Sequence, residues 1–188
     1  QEIETYLEVK KTIAYFKGEP VPAATEQEKS SAKKIDWKLV TDLKENSRVV
    51  LKTKKGNITL ELMPLVAPGT VANFVALIQE KFFDGKKFHR VVPNFVVQTG
   101  CPRGDGFGSL NFTIRSELPY LHYDQAGLVG MASAGNHTEA TQFFITHSPT
   151  PHLDGNYTIF AKVVDGMDVV NKIELGDAID AVTIEEVK

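Results

Sequence analysis

Residues 88–98 read Phe88-His89-Arg90-Val91-Val92-Pro93-Asn94-Phe95-Val96-Val97-Gln98, an extended apolar segment interrupted by one Pro-Asn pair. β-Branched residues favour strands and a Pro-Asn pair favours a turn, so the pattern predicts two short strands joined by a kink. Arg90 and Gln98 are its polar exceptions. Because an unpaired buried guanidinium is very costly, Arg90 is expected to reach solvent, find a buried partner or face a groove.

The composition is that of an ordinary globular protein, with 188 residues, 42% hydrophobic, 24% charged and a net charge of −3. This charge gives no electrostatic footprint for nucleic acid, so no nucleic-acid partner is expected. No apolar run approaches the ~20 residues that a membrane span requires. The single cysteine, Cys101, excludes an intramolecular disulfide, and its Gly- and Pro-containing loop predicts an exposed free thiol without a partnering base.

The first 46 residues are predicted to be an appendage of helix, linker and arm, and residues 47–188 the main domain. Tyr6, Val9, Ile13 and Phe16 are spaced to share one face of a helix over residues 1–17. A single helix cannot bury its own apolar face, so it should dock on the main domain or on a helical region upstream in a longer chain. Residues 18–34 are typical of a linker, and Trp37 is expected to anchor the following arm to the domain.

From residue 48 onward the sequence is rich in strand patterns. Residues 49–54 and 58–63 alternate around a Lys-Gly-Asn turn and predict a hairpin. A helix is expected from an N-cap at Thr70 to about Lys81, with Val71, Phe74, Val75 and Ile78 buried, and a second over about 166–175. The glycine-rich residues 99–113 predict a long loop against a groove. About eight strands and two helices close most economically as a mainly β fold, an antiparallel barrel capped by the helices.

Several separate blocks resemble the cyclophilin family of peptidyl-prolyl cis-trans isomerases. The first is the segment 88–98. The others follow in the family's order and at similar spacing: Gly130-Met131-Ala132-Ser133-Ala134-Gly135, Thr141-Gln142-Phe143-Phe144-Ile145-Thr146, Leu153-Asp154-Gly155 and Phe160-Ala161-Lys162-Val163. The resemblance implies a single eight-stranded barrel over roughly residues 47–188, an enzyme that needs no cofactor, and proline-containing polypeptides as substrates.

The resemblance also implies the roles of individual residues. The family's catalytic arginine falls on Arg90. The predicted substrate-binding residues are Phe95, Val96, Gln98, Ala132, Ser133, Ala134, Gln142, Phe144, His152, Leu153 and Tyr157. In the family, glutamines matching Gln98 and Gln142 hold the arginine and the substrate backbone, and a short edge matching residues 132–134 pairs with the peptide.

Three positions depart from the best-known eukaryotic members. His152 replaces their tryptophan, Tyr157 replaces a histidine and Ser133 replaces an asparagine. The tryptophan position is associated with tight cyclosporin binding, so weak cyclosporin binding is expected here. His152 and Tyr157 are similar to bacterial members, and the sequence does not distinguish between the bacterial cytoplasm and the extracytoplasmic space.

The periodicity of apolar residues, taken alone, leaves other roles open for several of these residues. Phe95 and Phe144 could be plain core residues, and the five histidines show no metal-ligand spacing, so no metal site is predicted. The favoured function is isomerisation of X-Pro bonds in peptides and folding proteins. The alternative is a proline-peptide binding or chaperone module of the same fold with incidental turnover, and a scaffold role for the N-terminal arm is compatible with either.

Overall fold

A computed structural model describes residues 12–18, 31–43 and 47–185. The helices are α1 (residues 12–17), α2 (Trp37–Asp42), α3 (Pro68–Gln79) and α4 (Met167–Val170), with a 3-10 turn at Pro151–Leu153. The strands are β1 (Ser31–Ala32), β2 (Arg48–Thr53), β3 (Gly56–Leu62), β4 (Arg90–Val92), β5 (Val96–Thr99), β6 (Phe112–Thr113), β7 (Leu128–Met131), β8 (Phe143–Thr146), β9 (Ile159–Asp165) and β10 (Ile179–Glu185).

Eight strands form one antiparallel sheet in the order β10-β2-β3-β9-β7-β8-β5-β4. The predicted hairpin is β2–β3, in which Thr53 pairs with Gly56. No ladder joins the outer strands β4 and β10 within the described residues. Instead, the segments that precede them meet through a bridge between Lys87 and Ala178 and a hydrogen bond from Phe88 N to Asp177 O of 2.8 Å. The mainly β fold of eight antiparallel strands is confirmed, and the sheet curls until these two segments close it.

The main core lies between the sheet and α3. All four residues predicted for the buried face of this helix are buried, because the apolar spacing matches the helical period. Phe74 contacts Phe83, Phe143 and Phe160, with ring centroids 5.1, 5.3 and 5.1 Å away. The aromatic rings packed round Phe74 fix the helix against the inner face of the sheet, which in turn fixes the strands that carry the groove.

The start of α3 differs from the prediction. The helix begins at Pro68, and Thr70 lies inside its first turn rather than at the N-cap. The Glu117 carboxylate accepts hydrogen bonds from Gly69 N (2.9 Å), Thr70 N (2.8 Å) and the Thr70 hydroxyl (2.8 Å). A residue distant in sequence therefore satisfies the N–H groups that a local cap normally serves, and its negative charge suits the positive end of the helix dipole.

The second predicted helix is shorter than expected, since α4 ends at Val170. The chain then tightens into i to i+3 hydrogen bonds, from Lys172 N to Val169 O and from Ile173 N to Val170 O. This tightening buries Ile173 and lets Lys172 O accept a hydrogen bond from Lys55 Nζ (2.6 Å), which joins this loop to the β2–β3 turn.

The arm that precedes the barrel contacts it at several points. β1 pairs in parallel with β6, and Lys33 Nζ donates to Asn73 Oδ1 on α3 at 3.1 Å. The expectation for Trp37 is wrong, because its side chain is 59% exposed while Leu39 and Leu43 pack against the core. A short helix can turn only one face to the barrel, and α2 turns Leu39 inward, followed by Leu43 at its C-cap.

Two residues of the predicted N-terminal stripe fall in α1, and both Ile13 and Phe16 are exposed. Tyr6 and Val9 lie outside the described residues. No helix in the described part of the chain is both long enough and apolar enough to span a membrane.

Candidate active site

The β4–β5 hairpin places Arg90 at the mouth of a groove. Arg90 pairs with Gln98 across the two strands, and Asn94 in the connecting turn has a φ of 60°, a left-handed conformation that asparagine tolerates better than most residues. The Arg90 side chain is exposed, and its Cζ atom lies 5.5 Å from the centre of the Phe95 ring. The guanidinium therefore faces a cavity, and none of its donors is hydrogen-bonded to another residue in the described part of the chain.

That cavity has a volume of about 240 Å³. It is lined by Arg90, Phe95, Val96, Gln98, Ala132, Ser133, Phe144, Leu153 and Tyr157. Val96, Phe144 and Leu153 are buried and belong to a small apolar cluster that is separate from the main core. Among the described residues that line it, Arg90 is the one cation.

The cavity continues on both sides into a longer groove. On one side, Gln98, Ala132 and Ser133 also line a depression of about 200 Å³ walled by the glycine-rich loop. We call it the loop depression. On the other side, Ser133, Leu153 and Tyr157 also line a more open depression of about 520 Å³ that reaches His152. An extended peptide can therefore cross the apolar cavity with chain on either side of it.

Two glutamines connect the cavity to the loop depression. Gln98 Nε2 donates to Gln142 Oε1 at 3.1 Å. Gln142 Nε2 donates in turn to the carbonyl oxygens of Gly106 and Gly108, both at 3.0 Å. The prediction that this loop lies against a groove is confirmed. Its cysteine is buried rather than exposed, because the loop folds round the Cys101 side chain, which is 1% exposed.

The structure brings together the residues predicted from the resemblance, although not in one cavity. Nine of them line the apolar cavity. Gln142 and Ala134 line the loop depression instead, and His152 lies outside the cavity and stacks on Phe95 with centroids 5.2 Å apart and planes 28° apart. Phe95 and Phe144 both line the cavity, Phe95 as a half-buried ring and Phe144 as a buried member of the small apolar cluster.

The sequence interpretation missed two residues beneath the cavity. Tyr123 is fully buried, its ring lies 5.8 Å from that of Phe144, and its hydroxyl donates to Tyr157 O at 3.3 Å. Burial raises the pKa of the Tyr123 hydroxyl, so it remains a donor at neutral pH. Gly130 lies against both rings, where no side chain would fit. Tyr123 belongs to an aperiodic loop, so no local pattern indicates its place.

Within residues 12–18, 31–43 and 47–185, no group of three or more His, Cys, Asp or Glu side chains could hold a metal ion. Burial lowers the pKa of His89, which directly precedes β4, so the neutral ring is favoured at pH 7. The arrangement offers a fixed cation, an apolar hollow and polar backbone, which suits binding and electrostatic stabilisation.

A buried carboxylate lies behind the loop depression. The Thr158 hydroxyl is 2.8 and 3.0 Å from the two Glu139 carboxylate oxygens, and the Glu139 side chain is fully buried. Burial is the main cause that raises the pKa of Glu139 above its ordinary value of 4.5. The folded protein therefore holds this proton more tightly than the unfolded chain.

We expect Glu139→Gln to change the pH dependence of stability. Because the pKa of Glu139 is raised on folding, its contribution should fall as pH rises from 4.5 through the folded pKa, and the amide should abolish that fall. Urea unfolding of both proteins at several pH values measures this. The lowered pKa values of Asp105 and Asp154 give the opposite slope, but both proteins share them, so the difference isolates Glu139. A difference that is constant with pH would contradict the prediction.

Residues 48–188 match the family described as cyclophilin type peptidyl-prolyl cis-trans isomerase/CLD. The chain belongs to this family. It is therefore a peptidyl-prolyl cis-trans isomerase of the cyclophilin type, and the resemblance in the blocks from residue 88 to 163 is confirmed.

Individual cyclophilins show how far the similarity extends. Peptidyl-prolyl cis-trans isomerase B of Bacillus subtilis is 47% identical over 131 residues, which cover 68% of this chain and 90% of that protein. An isomerase of Synechococcus elongatus is 45% identical over 143 residues, covering 73% and 96%. The bacterial resemblance fits these matches, and fungal isomerases match as well.

A solved cyclophilin structure has the same fold. The crystal structure of a Cryptosporidium parvum cyclophilin type isomerase in the presence of the dipeptide Ala-Pro superposes with a TM-score of 0.70 at 30% identity. The match covers 74% of this chain and 99% of the other. The eight-stranded cyclophilin fold therefore accounts for nearly all of that protein and for most of this chain.

Proposed function

We propose that the groove is the active site of this cyclophilin and that Arg90 is its catalytic residue. The observation that carries the proposal is the guanidinium of Arg90 at the mouth of an apolar cavity, against the Phe95 ring and opposite Gln98. A prolyl ring fits the cavity against Phe95, Phe144 and Leu153. In that position its nitrogen faces the cation.

The reaction needs no nucleophile. Rotation about an X-Pro bond is opposed by a barrier of ~18 to 20 kcal/mol, because the C–N bond has partial double-bond character. When the amide twists, the nitrogen lone pair localises and becomes able to accept a hydrogen bond. Donation from Arg90 would then stabilise the twisted form more than either planar form, which is the requirement for catalysis.

The strand edge at residues 132–134 is proposed to bind the substrate backbone. Ala132 N donates to Gln142 O at 2.9 Å and Ala134 N donates to the Thr138 hydroxyl at 2.9 Å. No hydrogen bond among the described residues uses the backbone N–H or C=O of Ser133. A peptide chain lying along the groove can therefore pair with Ser133 as a short added strand.

Proline-containing peptides are the substrates that suit this groove, and a short X-Pro peptide tests the proposal. Exchange NMR or a protease-coupled assay should show faster cis–trans exchange in the presence of the protein. Binding of the peptide without acceleration would instead favour the rival function, a binding or chaperone module of the same fold.

We also propose that this cyclophilin binds cyclosporin weakly, because His152 stands at the tryptophan position associated with tight binding in the family. The imidazole presents less apolar surface than an indole, and it is already stacked on Phe95. Titration calorimetry should show tighter binding to His152→Trp than to the parent protein. Equal affinities would contradict the assignment of this position.

We propose that residues 1–46 form an appendage and 47–188 the isomerase domain. The supporting observation is that the groove is built wholly from residues 90–157. Deleting residues 1–34 should therefore leave kcat/KM unchanged and lower Tm slightly, since the β1–β6 pairing and the Lys33–Asn73 hydrogen bond are lost. Deleting only residues 1–30 is the matched control, and this protein should retain both the β1–β6 pairing and the Lys33–Asn73 hydrogen bond. Loss of activity in the shorter protein would show that the boundary is misplaced.

A further inference from the structure

Cys101 is the only cysteine of the chain, and the loop that follows β5 is folded round its sulfur. Cys101 Sγ accepts hydrogen bonds from Gly106 N at 3.2 Å and from Gly108 N at 3.3 Å. It also lies 3.6 Å from Asp105 Oδ1 and 3.8 Å from Gly108 O, which can accept the thiol proton. One buried atom therefore uses both its acceptor and its donor capacity to hold a single loop.

The two glycines that bind the sulfur also bind Gln142. Their N–H groups donate to Cys101, and their carbonyl oxygens accept from Gln142 Nε2. Gln142 then accepts from Gln98, the cross-strand neighbour of Arg90. A continuous series of hydrogen bonds thus runs from the thiol to the edge of the apolar cavity.

We propose that Cys101 is a positioning residue of this isomerase. Its sulfur orders the loop that fixes Gln142 and forms one wall of the loop depression, and so determines how tightly the groove holds peptide beyond the prolyl cavity. This inference rests on the proposed function of the groove.

The geometry separates the effect of Cys101 from that of the catalytic groups. Cys101 does not line the apolar cavity, whereas Gly106, Phe107, Gly108 and Ser109 of its loop line the loop depression opposite residues 132–134. Loss of the sulfur should therefore weaken binding of a peptide long enough to reach the loop depression, and have little effect on a peptide that fills only the prolyl cavity.

Serine is a conservative replacement and alanine is not. A hydroxyl oxygen can accept from the two glycine N–H groups, but it is smaller than sulfur and closer to Cβ, so it cannot reach both donors equally well. Cys101→Ala removes the acceptor entirely and leaves the N–H of buried Gly108 without its partner. Cys101→Ala should therefore weaken binding of the long peptide more than Cys101→Ser does.

The test measures kcat and KM with two substrates, a blocked X-Pro dipeptide and a peptide with three further residues on each side. Cys101→Ala should raise KM for the long peptide about tenfold with kcat unchanged, and change the dipeptide KM by less than about twofold. Cys101→Ser should recover part of the loss. The NMR signals of the Gln142 side-chain amide should shift in Cys101→Ala.

Two further variants separate positioning from simple destabilisation. Gln142→Ala should raise the long-peptide KM by itself, and adding Cys101→Ala to it should have no further effect, because both changes break one series of hydrogen bonds. Val170→Ala, at a buried position of α4 that lines no part of the groove, should lower Tm without altering the ratio of the two KM values.

The proposal is overturned if Cys101→Ala changes both KM values equally or neither, or if its effect adds to that of Gln142→Ala. If the parent protein accelerates neither peptide, the proposed function fails. The Gln142 amide signal still decides the positioning role in that case, since an unchanged signal in Cys101→Ala refutes it.

Discussion

Arg90→Ala should lower kcat/KM for X-Pro isomerisation at least tenfold, and by about 10² to 10³ if Arg90 acts as a full donor to the transition state. The guanidinium is the one cation among the described residues that line the cavity, and only the twisted amide offers it a nitrogen lone pair. Removal of the guanidinium should therefore lower kcat strongly and change KM little. Exchange NMR at saturating and subsaturating peptide measures both.

The fold should survive this change, because the Arg90 side chain is exposed and forms no ion pair in the described part of the chain. Arg115→Ala removes another exposed arginine and is the matched control, with activity expected to stay at the parent level. Arg90→Lys should recover only part of the rate, because an ammonium lacks the rigid fork of donors. Equal rates for Arg90→Ala and the parent protein would favour the binding module.

The second large effect is expected for Gly130→Ala, a change of one methyl group on β7. A Cβ at this position would overlap the Tyr123 hydroxyl and lie 2.5 Å from Phe144 Cζ. Both rings are buried and cannot move apart without displacing the wall of the prolyl cavity. We expect kcat/KM to fall about tenfold to 100-fold, since small misplacements in an active site are costly, and the free energy of unfolding to drop by about 1–3 kcal/mol.

Val129→Ile is the control for this prediction, because it adds one methylene at the preceding residue but into the main core. It should lower stability by a similar amount, with KM for the dipeptide unchanged. Thermal unfolding and kinetics on both variants separate the two effects. If Gly130→Ala kept full activity, the aromatic wall would have to be more adaptable than its burial indicates.

Local sequence patterns were sufficient for most of the secondary structure. Apolar residues that repeat every 2.0 or 3.6 positions, with turn residues between the segments, predict three features. These are the hairpin β2–β3, the strands β4 and β5, and the buried face of α3. The number of strands and their order along the chain then restrict the fold to few topologies. The family blocks added the identity of the groove residues, which period alone could not supply.

Residues whose partners are distant in sequence could not be placed in this way. Phe143 and Phe144 are adjacent on β8 and equally apolar, yet Phe143 joins the main core while Phe144 lines the cavity. Which face of a strand is core depends on what packs against each side. A pattern of alternation shows that two faces differ, but here both positions are apolar and the alternation is lost.

The sequence by itself determined the strands, the main helix and its buried face, and the family to which the chain belongs, because these depend on residue type and spacing over short distances. Tertiary structure alone decided that Glu117 caps α3, that Cys101 is buried, and that the segments at Lys87 and Ala178 close the sheet. Each of these is a contact between parts of the chain far apart in sequence, and such contacts form only when packing has brought the elements together. No local preference of the residues encodes them.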